Sequence, residues 1–179
     1  FGTINGAMMF NPSKDQINKI PPTIQLTDIK LFFKTVNWRD EKYSKYLSGV
    51  NPWFPLPQNL KLTHDMNHLS FNFEALSYKA PEKVKYQWKL EDLDQDWSPI
   101  SSKNEAVYSR IPPGDYTLKV KASNSDGVWT PKAYEYKFSI SPPWWNTWWA
   151  RSIGLLLIGL SIYLIVRIRI QNIQQKKKN

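Results

Sequence analysis

The chain has 179 residues, 41% of them hydrophobic and 15% aromatic, with seven glycines and no cysteine. That is enough apolar material for one domain core, and it excludes a disulfide-stapled scaffold or a cysteine-based metal site. The formal charge of +9 does not mark a nucleic-acid binder: of 24 basic residues, six lie at Arg151 or beyond, leaving 18 against 15 acidic residues in the first 150.

In chain order, residues 1–13 carry Gly-Thr, Asn-Gly and Asn-Pro turn signals around an apolar strand candidate, Ala7–Phe10. From Pro21 the pattern is that of strands. Ile24 and Leu26 alternate with polar residues, the phase slips at Thr27–Asp28, and Ile29, Leu31 and Phe33 continue it; such a slip predicts a β-bulge. Residues 37–59, rich in charge and proline, are predicted as a long surface loop with Trp53 and Phe54 exposed on it. Alternation resumes at Leu60 and Leu62, then at Leu69, Phe71, Phe73 and Ala75, and again at Val84, Tyr86, Trp88 and Leu90. It returns at Tyr116, Leu118, Val120 and Ala122, and last at Tyr134, Tyr136, Phe138 and Ile140. Period-two alternation gives each strand one buried and one solvated face, which predicts antiparallel sheets packed as a two-layer β-sandwich. No helical periodicity competes with it before Trp144.

The segment Trp144–Val166 is different. From Ser152 to Val166 it has no charge, and four tryptophans (Trp144, Trp145, Trp148 and Trp149) precede that core. As one helix the segment would be roughly 34 Å long, enough to cross a hydrocarbon core of about 30 Å. The tryptophans are expected at headgroup level, with Arg151 snorkelling toward them. Arg167, Arg169 and Lys176–Lys178 follow with no acid among them, so the positive-inside rule places the C-terminus in the cytoplasm. The start at Phe1, without Met or a signal peptide, and the end a turn or two past the span predict a piece of a longer protein.

Sites for chemistry are few. His64 and His68 would share one face of a helix as metal ligands, but strand-like sequence on both sides makes their segment a turn without a third ligand. Asp92, Asp94 and Asp96 resemble part of a calcium loop, yet Trp97 stands where glycine would be needed. No nucleophile–base set or phosphate loop occurs, so no cofactor, metal or enzymatic activity is predicted for these residues. Trp53, Phe54, Trp97 and Trp129 are candidate sugar-stacking surfaces, Trp53 and Phe54 foremost, against the plainer role of packing.

Five motifs give a more particular reading: Tyr86–Trp97, Ala106–Tyr108, Pro113–Tyr116, Asn124–Trp129 and Pro142–Trp149. Together, over about Pro22–Trp149, they resemble the three-tyrosine (Y_Y_Y) domain of bacterial propeller-type two-component sensors. Tyr86, Tyr108 and Tyr116 match the name-giving tyrosines, and Trp97 and Trp129 the accompanying motif positions; Glu91–Asp92 departs from the commoner Glu-Gly. Ile111–Tyr116 is also similar to the tyrosine corner of fibronectin type III domains, and residues 1–13 resemble the end of a propeller repeat.

The resemblance implies an immunoglobulin- or fibronectin-like sandwich over 14–142 behind a propeller tail at 1–13. A membrane helix over 143–166 and the start of a cytoplasmic signalling helix at 167–179 follow. It implies a single-pass protein of the bacterial inner membrane with a periplasmic sandwich, passing a ligand signal, an oligosaccharide among the candidates, from an upstream propeller to a cytoplasmic histidine kinase. Expected partners are membrane lipid and a second copy, paired through the sandwich and a stripe of Tyr163, Val166, Ile170 and Ile173; nucleic acid is not one. The alternative is a membrane-anchored binding or adhesion domain with no cytoplasmic output.

Overall fold

In the computed structural model, residues 17–176 are described, with the backbone of Gly2–Thr3 (β1) and Gly6–Ala7 (β2) from the N-terminal stretch and side chains from Ile17 to Ile170. The strand expected to run on to Phe10, and the side chains of Ile173 and Lys176–Lys178, lie outside the described residues.

Strand β3 (Thr23–Leu31) turns directly into β4 (Lys34–Thr35). A short ribbon, β5 (Gly49–Val50) with β6 (Pro57–Gln58), precedes β7 (Leu60–Thr63) and β8 (Leu69–Leu76). Then come β9 (Lys85–Leu90), β10 (Glu105–Tyr108), β11 (Gly114–Ser123) and β12 (Tyr134–Ser141), and one long helix, α1 (Trp148–Lys176). They build two four-stranded sheets, in the orders β10-β8-β3-β4 and β7-β12-β11-β9. The sheets face each other across one core, so the expected sandwich is what forms.

The apolar phase of each strand explains the packing. Leu26, Ile29, Leu69, Phe71 and Phe73 from one sheet are buried with Leu60, Leu62, Leu90, Leu118, Val120, Phe138 and Ile140 from the other. Phe71 meets Phe138 at 5.4 Å between ring centres, and Phe73 meets Tyr86 and Trp88 at 5.3 and 5.6 Å, spacings at which aromatic pairs attract beyond their buried area. The phase slip is real: the β3–β8 register shifts between Leu26 and Asp28, and the bulge returns Ile29 to the core side.

Four expectations need correction. The sheets are not wholly antiparallel, because β7 runs parallel to β12 along its full length. Residues 37–59 are not merely surface: Trp38 is 1% exposed, and its indole N–H donates to Ile29 O at 3.0 Å. A 3-10 helix at Glu41–Tyr46, capped by the Asp40 side chain, then leads to the β5–β6 ribbon. Trp38 was hidden because a lone tryptophan among charges carries no periodicity.

Phe33 is not a core residue. With Phe32 it forms the two-residue β3–β4 turn, both at positive φ (49° and 62°), and the two are 50% and 68% exposed. Such turns favour Asn-Gly, and the left-handed conformation costs a residue with a Cβ about 1–2 kcal/mol. The membrane-length helix starts at Trp148 rather than Pro143, since Pro143 steers the residue before it away from helical backbone, and Pro143 and Thr147 are themselves extended (ψ 145° and 151°). Trp144–Asn146 form a 3-10 turn instead, and the first α-helical bond runs from Arg151 N–H to Thr147 O.

Trp38→Ala should cost about 3–5 kcal/mol, because it opens a cavity and strands the Ile29 carbonyl. Trp53→Ala, at a position 88% exposed, should stay within about 0.5 kcal/mol of the parent. Denaturant unfolding of both variants checks the contrast.

Candidate functional site

The residues with the most specific chemistry lie along the β11–β12 hairpin, where the chain enters the sandwich and where it leaves for the helix. At the far end of the hairpin, β11 runs into Asn124, which is buried. Its Oδ1 accepts the N–H groups of Asp126 (3.0 Å) and Val128 (2.9 Å), shaping a turn in which Gly127 sits at φ 80°. Its Nδ2 donates to Asn18 O (2.6 Å) and Ile20 O (3.0 Å), on the incoming segment. A carboxamide has two donors and two lone pairs, and all four are used here. Asp126 returns the contact, its Oδ2 accepting the Asn18 N–H at 2.8 Å. The entering chain is thus bound to the turn of the hairpin. Of this only the turn was legible, since Asn124-Ser-Asp-Gly is a turn signal but its distant partner leaves no local trace.

At the other end, β12 finishes at Ser141 and the chain passes Pro142–Pro143, two residues of fixed φ, into the Trp144–Asn146 turn and α1. Trp145 stacks edge-on against His64 at 5.1 Å, which ties the turn to the end of β7. Arg151 donates to Asn146 Oδ1, so its guanidinium reaches back toward the Trp144–Asn146 turn. Trp144, Trp145, Trp148 and Trp149 are all exposed at this junction. Residues Trp148–Ile170 are long and apolar enough to cross a membrane, and none of that stretch is buried in the protein. Arg167 and Arg169 lie exposed on its last turns.

Of the three motif tyrosines, Tyr86 and Tyr108 bond from one sheet to the other, and Tyr116 fixes the chain where it enters β11. Tyr86 (β9) accepts the Ala75 N–H, from the end of β8 in the opposite sheet, at 3.1 Å. Tyr108 (β10) donates at 2.6 Å to Asp94 Oδ2 in the turn after β9, and the same oxygen accepts the Leu90 N–H at 2.8 Å. Tyr116 closes the tyrosine corner, donating to Pro112 O at 2.9 Å, with its ring stacked on Phe138. Burial raises the hydroxyl pKa of all three, and at Tyr108 the Asp94 carboxylate adds to the effect by accepting the proton's hydrogen bond. Asp94 is the residue sequence reading missed: as one of three aspartates it suggests a cation, whereas its carboxylate ties a turn to a tyrosine.

The remaining candidates do not converge. Trp53 and Phe54 project from a tip whose shape Asn51 sets by accepting both of their N–H groups at 2.9 and 3.3 Å. Trp97 is half-buried beneath Lys121, whose Nζ is 4.2 Å from the ring centre, and Trp129 is half-buried beside Ser123. A surface groove of about 730 Å³, lined by Lys45, Asn59, Lys61, Asp115, Tyr116 and Lys137 among others, includes none of these tryptophans. His64 packs on Trp145 and His68 on Phe33 (4.2 Å), so the two histidines serve different ring contacts. Among the described residues there is no group of three metal-binding side chains.

Residues 77–141 match the Y_Y_Y domain family, a stretch that includes all three motif tyrosines. The match is narrower than the Pro22–Trp149 resemblance, and β3 to β8 precede it. Histidine kinase P4 of Formosa agariphila is 23% identical over 166 residues, 93% of this chain and 12% of that protein. Among solved structures, the extracellular domain of BT4673 of B. thetaiotaomicron, titled in one structure a one-component and in another a hybrid two-component system, is 28% identical. It aligns with a TM-score of 0.54 over 69% of this chain and 16% of its own. The extracellular domain of the hybrid two-component system BT3049 of the same organism shares the fold, at 23% identity, a TM-score of 0.52, and 75% and 17% coverage. The chain therefore spans less than a fifth of each of these relatives.

The raised tyrosine pKa values make stability fall in alkali. Below the ordinary pKa of 10.0 both states hold the phenolic proton; above it the unfolded chain ionises first, so stability is lost as pH rises from about 10 upward. Tyr108→Phe should flatten part of this slope and cost about 1–3 kcal/mol at neutral pH by taking the partner from Asp94. Unfolding curves at neutral and alkaline pH measure both.

Proposed function

We propose that this chain is the membrane-proximal, extracytoplasmic part of a two-component sensor, joined through one membrane-crossing helix to a histidine-kinase output. One observation carries the reading: the segment entering the sandwich and the segment leaving it are fixed to opposite ends of a single hairpin. Strand β12 has eight residues, which places those ends about 26 Å apart. Seven register pairs from Gly114↔Ile140 to Val120↔Tyr134 stiffen the hairpin, and a proline pair joins it to the helix. A displacement of the upstream segment is thereby delivered at the membrane. The Y_Y_Y match and the histidine-kinase and two-component relatives support the same reading.

In this account the upstream part binds the ligand, with an oligosaccharide as the class to test first, and the sandwich transmits. The membrane is the bacterial inner membrane, crossed once, with the sandwich in the periplasm and Arg167 and Arg169 on the cytoplasmic side. Two copies pair through the sandwich and through the helix face of Tyr163, Val166 and Ile170, side chains that are exposed along α1. The reading frame beyond the Asn179 codon tests the output: a dimerisation helix with a phosphoacceptor histidine and an ATP-binding domain is expected, and a frame that closes without an output domain contradicts it.

Asn124→Asp tests the coupling selectively. The aspartate keeps the oxygen that Asp126 and Val128 need but faces the Asn18 and Ile20 carbonyls with a second oxygen. Stability should drop by about 1–3 kcal/mol, and the segment around Asn18–Ile20 should show faster hydrogen exchange while the 124–128 turn keeps its protection.

A further inference from the structure

The membrane-facing end of the sandwich carries an apolar feature that the transmission role does not use. Register fixes its place. Thr63 pairs with Ser141, so β7 ends level with the start of the helix linker. After the short Thr63–His68 turn, Leu69 begins β8 at that same end, and Leu31 pairs with Leu69. The Phe32–Phe33 tip therefore projects at the end from which α1 departs. Its rings and those of the tryptophan lead-in pack on the two histidines that bracket one turn. Trp144 packs on Trp145 (5.7 Å) and Trp145 on His64 (5.1 Å). Four residues on, across the turn, His68 lies against Phe33 (4.2 Å) and Phe32 (5.8 Å), and the Phe32 N–H donates to His68 O at 3.1 Å.

We propose that the Phe32–Phe33 tip is a second membrane contact, which inserts its two rings at headgroup level and seats the sandwich against the outer face of the bilayer beside the helix. This rests on α1 crossing the membrane, as proposed above. Three features select lipid as the occupant. The tip packs on the same His64–His68 turn as the tryptophan cluster, whose amphipathic rings belong at headgroup depth. Both phenylalanines are exposed and sit in a left-handed turn that Asn-Gly would make with less strain, and a local rule broken at an exposed position marks a contact surface. Lys34 next to the tip and Arg110, whose neighbour Ile111 donates its N–H to Asn67 O in the histidine turn, are exposed cations suited to anionic headgroups. Asp65, Asp92 and Asp115 are exposed acids at this end. A sandwich held at two points would be restrained from tilting about the proline linker.

The absence of cysteine permits single labelling of the full chain. A nitroxide is placed at Lys34→Cys, with Tyr78→Cys as the water-exposed reference beyond the other end of β8 and Leu157→Cys as the reference within the span. The chain is reconstituted in vesicles of phosphatidylethanolamine and phosphatidylglycerol, some lipids bearing a nickel-chelating headgroup. Relaxation of the label at 34 is expected to be enhanced several-fold over that at 78, and to fall to the level at 78 when Phe32→Asn and Phe33→Gly are combined. Those two residues suit the turn, so the melting temperature of this variant should match or exceed that of the parent and loss of contact is not loss of fold.

Enhancement at 34 that survives the double substitution, or that never exceeds the level at 78, overturns the proposal. Dipolar coupling between labels at 34 without nickel enhancement also overturns it and gives the tip to a second copy. If the label at 157 is not relaxed by spin labels in the acyl chains, the membrane span fails and the tip contact with it; if it is relaxed while 34 behaves like 78, the tip proposal alone fails.

Discussion

The buried Asn124 carboxamide is the interaction on which the rest of the structure depends. A carboxamide taken out of water costs free energy unless all its polar atoms find partners. Here it has four: two backbone N–H groups of its own turn and two carbonyls of a segment more than a hundred residues earlier in the chain. Only one placement of the Asn18–Ile20 segment satisfies that set. The entry of the chain into the sandwich is therefore fixed by hydrogen-bond geometry, where burial alone would leave it free to slide. Directional bonds at the entry, a paired hairpin in the middle and two prolines at the exit form a stiff element.

The motif tyrosines supply what the hairpin cannot. A two-layer sandwich held only by apolar contact resists separation of its sheets better than it resists their sliding, because dispersion and hydrophobic burial are weakly directional. Two hydroxyls add a directional bond that sliding would break, Tyr86 to the end of β8 and Tyr108 to the turn after β9, and the third, Tyr116, fixes the crossover that leads into β11. The rings meanwhile fill the core against Phe71, Phe73 and Phe138. These bonds and ring contacts explain why tyrosine stands at these three positions without recognition of a ligand.

Much of this was legible in the sequence, for physical reasons. Period-two alternation exposes the strands of a half-buried sheet, so the alternating core positions and even the bulge after Leu26 could be read from residue order. The tyrosine corner was legible because its partners are four residues apart. What stayed hidden depends on distance or on broken rules. Trp38 sits alone among charges, Asn124 bonds to a segment far away in the chain, and the parallel pairing of β7 with β12 is a choice of neighbour that no single strand encodes. Phe33 misled because an apolar residue in phase with a strand reads as core, whereas the chain spends it at the tip of a turn.

The central claim is that β11 and β12, together with the clamped entry segment, behave as one rigid unit between the incoming chain and the apolar helix α1. Native-state hydrogen exchange of the reconstituted chain, followed amide by amide, tests it most directly. The account predicts that Leu118, Val120, Phe138 and Ile140 exchange with a common opening free energy. The amides of Asn18 and Ile20, which bond to Asp126 Oδ2 and Asn18 Oδ1, should open in the same event. If the Phe138–Ile140 half of the hairpin opened on its own at much lower free energy, the element would be jointed in the middle and the account of rigid transmission would be wrong.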